Sequence, residues 1–152
     1  MPSKALVAEF EAVVGKDNVF ADPADRVTYS YDAAVLESVM PALAVRPTTG
    51  EALAAAVRLC NENRLPLTVR GAGTNLSGGT VPAGTEGVVV LTNGLKRILE
   101  INEEDMYAVV QPGVITAQLA AAVEARNLFY PPDPGSQAVS TLGGNVAENA
   151  GG

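Results

Sequence analysis

The chain has 152 residues, with 10 Lys and Arg against 17 Asp and Glu, a net charge of −7 and no His. Without imidazole, this chain cannot by itself build a Ser-His-Asp triad, a Cys-His nucleophilic pair or a His-based zinc site. The acidic balance, with Lys96-Arg97 as the longest basic run, argues against a binder that tracks phosphates, so no nucleic-acid partner is expected.

Ala and Val supply much of the 47% hydrophobic content, which points to closely approaching backbones rather than a core filled by aromatic rings. Cys60 is the single cysteine, so no metal site and no intrachain disulfide are expected. Glu9 and Glu11 interrupt the opening apolar pattern, so it holds no signal-peptide core. No apolar run approaches the ~18 residues of a membrane span, and the chain reads as a soluble protein.

Ser3 to about Val14 reads as a helix, with Ser3 as N-cap, Leu6, Phe10, Val13 and Val14 on one face, and Gly15 closing it. Asp17 to Asp32 is polar and reads as irregular, and Pro41 to Pro47 reads as a short buried strand. Thr48-Thr49-Gly50-Glu51 resolves as a capping box with Thr48 at the N-cap and Glu51 three residues on. The helix it opens places Leu53, Ala56, Val57 and Cys60 on one stripe and ends near Asn63, before a strand over Leu65 to Val69. Strand, helix and strand then make a βαβ unit with parallel pairing. Val88 to Leu91, Ile98 to Ile101 and Tyr107 to Gln111 read as further strands, with hairpin turns at Asn93-Gly94 and Glu103-Glu104-Asp105. A last helix runs from Thr116 to about Arg126, burying Leu119, Ala122 and Val123, and a Pro-rich loop follows. The fold class is α+β: a small parallel unit leading into a mainly antiparallel sheet with flanking helices.

Thirteen of the 15 Gly lie from Gly71 onward, and nine of these fall in two blocks. The first is Arg70-Gly71-Ala72-Gly73-Thr74-Asn75-Leu76-Ser77-Gly78-Gly79-Thr80, directly after a strand, and from Leu65 to Thr85 the only charged side chain is Arg70. Such a loop can converge N–H groups on an anion, with Gly78 or Gly79 at positive φ. Two phosphate motifs nearly match and fail. Gly79 stands where a P-loop has Lys, and Leu76 stands where a dinucleotide fingerprint has Gly. The competing reading is a Gly-rich surface turn that holds no ligand. The second block is Pro131-Pro132-Asp133-Pro134-Gly135-Ser136 followed by Ser140-Thr141-Leu142-Gly143-Gly144-Asn145-Val146-Ala147-Glu148-Asn149-Ala150-Gly151-Gly152, where three prolines stiffen a turn and glycines permit backbone contact with a ligand.

These blocks, with Gln111-Pro112-Gly113 between them and all in the same order, resemble the N-terminal part of the FAD-linked oxidases, the PCMH-type FAD-binding fold. The likeness is to the bacterial glycolate oxidase flavin subunit and D-lactate dehydrogenase branch. The resemblance covers roughly Pro41 to Gly152 and implies that residues 41–152 are the N-terminal part of a flavin domain, with 1–40 a helix and irregular lead-in. It implies that Arg70 to Gly79 wrap the FAD pyrophosphate, while Pro132, Asp133, Ser136 and Gly143 to Asn145 line the flavin and ribityl region and Asn149 to Gly152 continue that wall. With no His present, the FAD would be noncovalent.

By the same resemblance the parent takes hydride from a small 2-hydroxy acid onto FAD and passes electrons to a separate acceptor, such as an iron-sulfur subunit. The location implied is cytoplasmic, or peripheral at the inner membrane through partner subunits. The substrate-binding and proton-abstracting residues would lie beyond Gly152, so no catalytic residue is assigned and the fragment itself is expected to be inactive and prone to self-association. Two alternatives stand beside this reading. One is an FAD and NADPH reductase of the same fold acting on a cell-wall precursor, and the other is a noncatalytic anion-binding or interaction module. Tyr130 is the one aromatic considered for the flavin's vicinity, and Cys60 reads as a buried structural thiol.

Overall fold

The computed structural model describes residues 2–152. Helix α1 (Lys4–Val14) begins where the Ser3 hydroxyl accepts the Leu6 N–H, and ends at Gly15, whose φ of 86° few other residues tolerate. Segment 17–32, expected to be irregular, holds the two-residue strand β1 (Val19–Phe20) and the short helix α2 (Pro23–Arg26), capped by Asp22 with Pro23 in its first turn. Both elements are too short to leave a periodic signal.

Strand β2 (Leu43–Val45) is buried throughout, and helix α3 (Gly50–Glu62) follows it. The cap of α3 is Thr49, not Thr48: its hydroxyl accepts the Ala52 N–H at 3.1 Å. Glu51 therefore sits one place too early for a reciprocal capping box. Its carboxyl is held below the ordinary value by its own backbone N–H and by the Thr49 hydroxyl. The buried stripe of α3 is Ala56 and Cys60, flanked by Leu53 and Leu59, while Val57 is exposed, one residue off the stripe. Burial pushes the Cys60 thiol up to about 11, as for an inert packing group.

Strand β3 (Leu67–Arg70) and strand β4 (Val88–Leu91) complete a four-stranded sheet in the order β1-β2-β4-β3. Strands β2, β4 and β3 are parallel, and β1 is antiparallel to β2 at the edge. The expected βαβ unit is thus present, but β4 is inserted between its two strands. Strand β4, expected among the antiparallel strands, is the centre of the parallel sheet instead. Its run Val88-Val89-Val90-Leu91 is buried on both faces, as a central parallel strand requires. Phe10 from α1 joins Leu43, Val45, Ala56, Val88 and Val90 in one core.

Asn93-Gly94 does not turn a hairpin. Residues Thr92–Gly94 form a 3-10 turn that carries the chain out of the sheet. Strand β5 (Ile98–Asn102) and strand β6 (Tyr107–Val110) then form a separate antiparallel hairpin. Its turn falls where Glu103-Glu104-Asp105 predicts it, closed by the Asn102 side chain accepting the Asp105 N–H at 2.8 Å. Helix α4 (Thr116–Glu124) packs Leu119 and Val123 against Val114 and Leu142, and the hairpin supplies Ile98, Ile101, Ala108 and Val110.

A further helix, α5 (Leu142–Ala147), forms over residues that read as a Gly-rich loop. The Thr141 hydroxyl accepts the Gly144 N–H, and buried Asn145 donates to the Thr116 hydroxyl at 2.7 Å, so tertiary bonds override the poor helix propensity of Gly143-Gly144. No helix among the described residues is long and apolar enough to cross a membrane.

Candidate functional site

Between the parallel-sheet lobe and the hairpin lobe lies a cleft of about 270 Å³. One wall is the loop leaving β3, with Gly71, Ala72, Gly73, Thr74, Asn75 and Gly79, and the other is Ser136 with the first turns of α5, Gly143, Gly144 and Asn145. The structure thus brings both Gly-bearing blocks to one site. Thr80, Thr92, Pro112, Ser140, Thr141 and Glu148 also line it; all but Thr92 belong to the motifs read in the sequence, without having been named as site residues. The only ionisable side chain on the described walls is Glu148.

The lobes meet closely at Gly71, where a Cβ would collide with the Thr141 hydroxyl. Gly78 takes φ 78° as expected and Gly79 does not, while Gly73 takes φ 72° and lies directly over the Arg70 guanidinium. Arg70 is buried beneath the loop rather than on the cleft wall. Its Nη1 donates to the Tyr31 carbonyl at 2.6 Å and to the Thr80 hydroxyl at 3.3 Å. Desolvation lowers the Arg70 pKa, opposed by the attraction of Asp32.

Asp32, from the segment that read as irregular, anchors the same loop. Its carboxylate accepts from the Asn75 amide at 2.8 Å, the Thr80 hydroxyl at 3.1 Å and the Ala34 N–H at 2.9 Å. Burial alone would raise this carboxyl, but the hydrogen bonds from Ala34, Asn75 and Thr80 bring it below the ordinary value. Asp32 and Arg70 therefore set the loop's shape from below, which leaves the loop backbone facing the cleft.

The remaining expected residues are placed elsewhere. Leu76 is exposed, and Ser77 sits at the rim, bonded to Glu148. Gly78 packs beside Leu36. Pro132, Asp133, Asn149, Gly151 and Gly152 lie outside the cleft lining, in a segment where the Asp133 N–H donates to the Gly151 carbonyl at 3.0 Å. Tyr130 packs against the core of the hairpin lobe and does not line the cleft.

Residues 41–152 match the family described as FAD binding domain. This chain belongs to that family. It is 44% identical, over all of its length, to a Bacillus subtilis protein named glycolate oxidase subunit GlcD, of which it covers 32%. It is 37% identical to D-lactate dehydrogenase of Anaerostipes hadrus, over 97% of this chain and 30% of that protein. The structure of p-cresol methylhydroxylase superimposes with a TM-score of 0.78 at 28% identity, over 93% of this chain and 28% of that one, so the fold is the PCMH type. The chain spans about a third of the length of the curated relatives it matches.

The cleft residues fit such a cofactor. Glycines at Gly71 and Gly73 bring backbone close, Arg70 and Asp32 are already engaged in shaping the loop, and no basic side chain projects from the described walls. A cradle of this kind holds phosphate oxygens through backbone N–H groups rather than through cations.

Proposed function

We propose that residues 41–152 are the N-terminal part of the FAD-binding domain of a flavin-dependent 2-hydroxy acid oxidase or dehydrogenase, of glycolate or D-lactate type. Residues 1–40 are a lead-in that seals the first sheet and, through Asp32, supports the cofactor loop. The observation that carries this reading is the convergence of the Gly71 to Gly79 loop and the Gly143 to Asn145 turn on one cleft. The names of the relatives supply the substrate class.

Gly71 to Asn75 and Gly79 bind the pyrophosphate through their backbone, and Ser136 with Gly143 to Asn145 supports the flavin and ribityl side. When bound, the flavin supplies the two-electron chemistry, while this chain's residues hold it, orient it and narrow the cleft against water. Electrons then leave to a separate acceptor, for which an iron-sulfur subunit is the partner we favour. Substrate binding and proton abstraction fall to residues beyond this chain.

Two measurements test the reading. FAD titrated into the chain, followed by quenching of flavin fluorescence, is expected to bind saturably but weakly. The full-length parent, held anaerobically with glycolate or D-lactate, is expected to lose its flavin absorbance. A full-length parent that carries no flavin overturns the cofactor, and one that carries flavin but is bleached by neither acid overturns the substrate class.

A further inference from the structure

At the rim of the cleft, the Ser77 hydroxyl donates to both oxygens of the Glu148 carboxylate, each at 2.9 Å, and Glu148 lines the cleft beside Gly79. Ser77 Oγ in turn accepts from the Asn75 amide and from the Gly79 N–H, each at 3.3 Å. A Cβ on Gly79 would lie 2.8 Å from Glu148 Oε1, so the carboxylate rests directly against the loop. Glu148 itself caps the C-terminus of α5 in the opposite wall and is exposed. An anionic group from one lobe is thus already seated on the hydroxyl that the other lobe offers at the cleft.

We propose that Glu148 is a specificity-determining residue that acts as an internal competitor for this anion station. The proposal rests on the cofactor reading of the cleft. In the free protein the Glu148 carboxylate accepts the Ser77 hydroxyl hydrogen bond and holds the loop in the shape a ligand meets. A phosphate approaching the Gly79 backbone meets the like charge of Glu148 in the same cleft, and it seats only when the carboxylate swings into solvent. Exposure makes that movement easy, because no buried contact has to be surrendered. A small anion, with nothing to offset the displacement, is rejected. A dinucleotide draws on further contacts along both walls and is accepted. Glu148 thereby selects the whole cofactor over its phosphate fragments.

The test compares the wild-type chain with Glu148→Gln, which keeps a hydrogen-bond acceptor for Ser77 and removes the charge. Glu86→Gln, an exposed carboxylate outside the cleft, is the control for net charge. Inorganic pyrophosphate, ADP and FAD are titrated into each, followed by amide chemical shifts of Ser77 to Gly79. Glu148→Gln is expected to bind pyrophosphate and ADP about fivefold or more tightly than wild type, the scale of one like charge removed at about 4 Å in a water-like dielectric. FAD should gain less than pyrophosphate, and Glu86→Gln should match wild type throughout. Unchanged or weaker binding to Glu148→Gln, or an equal gain in Glu86→Gln, overturns this proposal and leaves the cofactor reading standing. If none of the three proteins takes up any of the three probes, this inference is overturned, while the cofactor reading is decided by the flavin content of the full-length parent.

Discussion

In the parallel-sheet lobe every residue of β4 is buried, and Phe10, Leu43 and Val45 are fully enclosed. In the hairpin lobe, Leu99, Tyr107 and Val109 expose 53%, 45% and 42% of their surface. A second, apolar cavity of about 710 Å³ opens there beside Leu128 and Phe129. The first lobe closes its core with its own elements, while the second has two strands and two apolar faces. The cleft between them takes its shape from the first lobe, through Arg70 and Asp32, and its opposite wall from the second. The closed lobe positions the Gly71 to Gly79 loop and the open lobe supplies the facing wall.

The largest expected effect falls on the closed lobe. Phe10→Ala should destabilise the chain by about 3–5 kcal/mol, read from denaturant unfolding, because the cavity left in a fully buried site relaxes poorly. Amide exchange would show the hairpin lobe losing protection together with the sheet. Persisting protection in β5 and β6 would show that the second lobe folds without the first.

Thr116→Val sharpens it from the other side. Thr116 is fully buried, accepts from Asn145 at 2.7 Å and donates to the Ser140 carbonyl at 3.1 Å. Stranding the Asn145 amide should cost about 1–3 kcal/mol and loosen α5, seen as faster amide exchange over Gly144 to Ala147. Unchanged exchange there would mean that the helix does not need this bond.

Asp32→Asn tests how the first lobe shapes the cleft, at about 1 kcal/mol. The folded carboxyl lies below its reference value of 3.8, so its contribution to stability is complete above that value and is lost as pH falls through the folded value. The difference between wild type and Asp32→Asn in an acid unfolding series should therefore be constant near neutrality and vanish at low pH. A difference that grew on acidification would contradict the hydrogen-bond assignment.

Val109→Lys is the smallest perturbation. It should change stability by less than about 0.5 kcal/mol, as for an exposed position. It should also reduce self-association measured by light scattering, because an open hairpin with an apolar outer face invites pairing. Scattering equal to wild type would move the sticky surface elsewhere.

The elements with strong local signals were legible in the sequence: the stripe of α3, the Asn102 to Asp105 turn, and Leu119 with Val123 on α4. The place of β4 was also written there, in four consecutive buried-type residues, but its two-sided burial was misread because it follows a loop and precedes a real hairpin. The glycines of both cleft walls stand out in composition. Asp32 does not, because its partners Asn75 and Thr80 lie 43 and 48 residues away and only the folded chain joins them. Helix α5 was hidden by Gly143-Gly144, whose intrinsic preference points away from helix and is outweighed by Thr141 and Asn145.

The insertion of β4 between β2 and β3 also sets an order of events during synthesis. Leu43 of β2 and Leu67 of β3 both pair with Val88, so neither strand has its parallel partner until the chain has grown past that residue. A nascent chain ending at Arg70 holds α1 and α3 with Phe10 and Cys60 waiting for a sheet that does not yet exist. Arrival of one four-residue segment then closes two ladders at once, so the lobe assembles late and abruptly, with its apolar helix faces open until that moment.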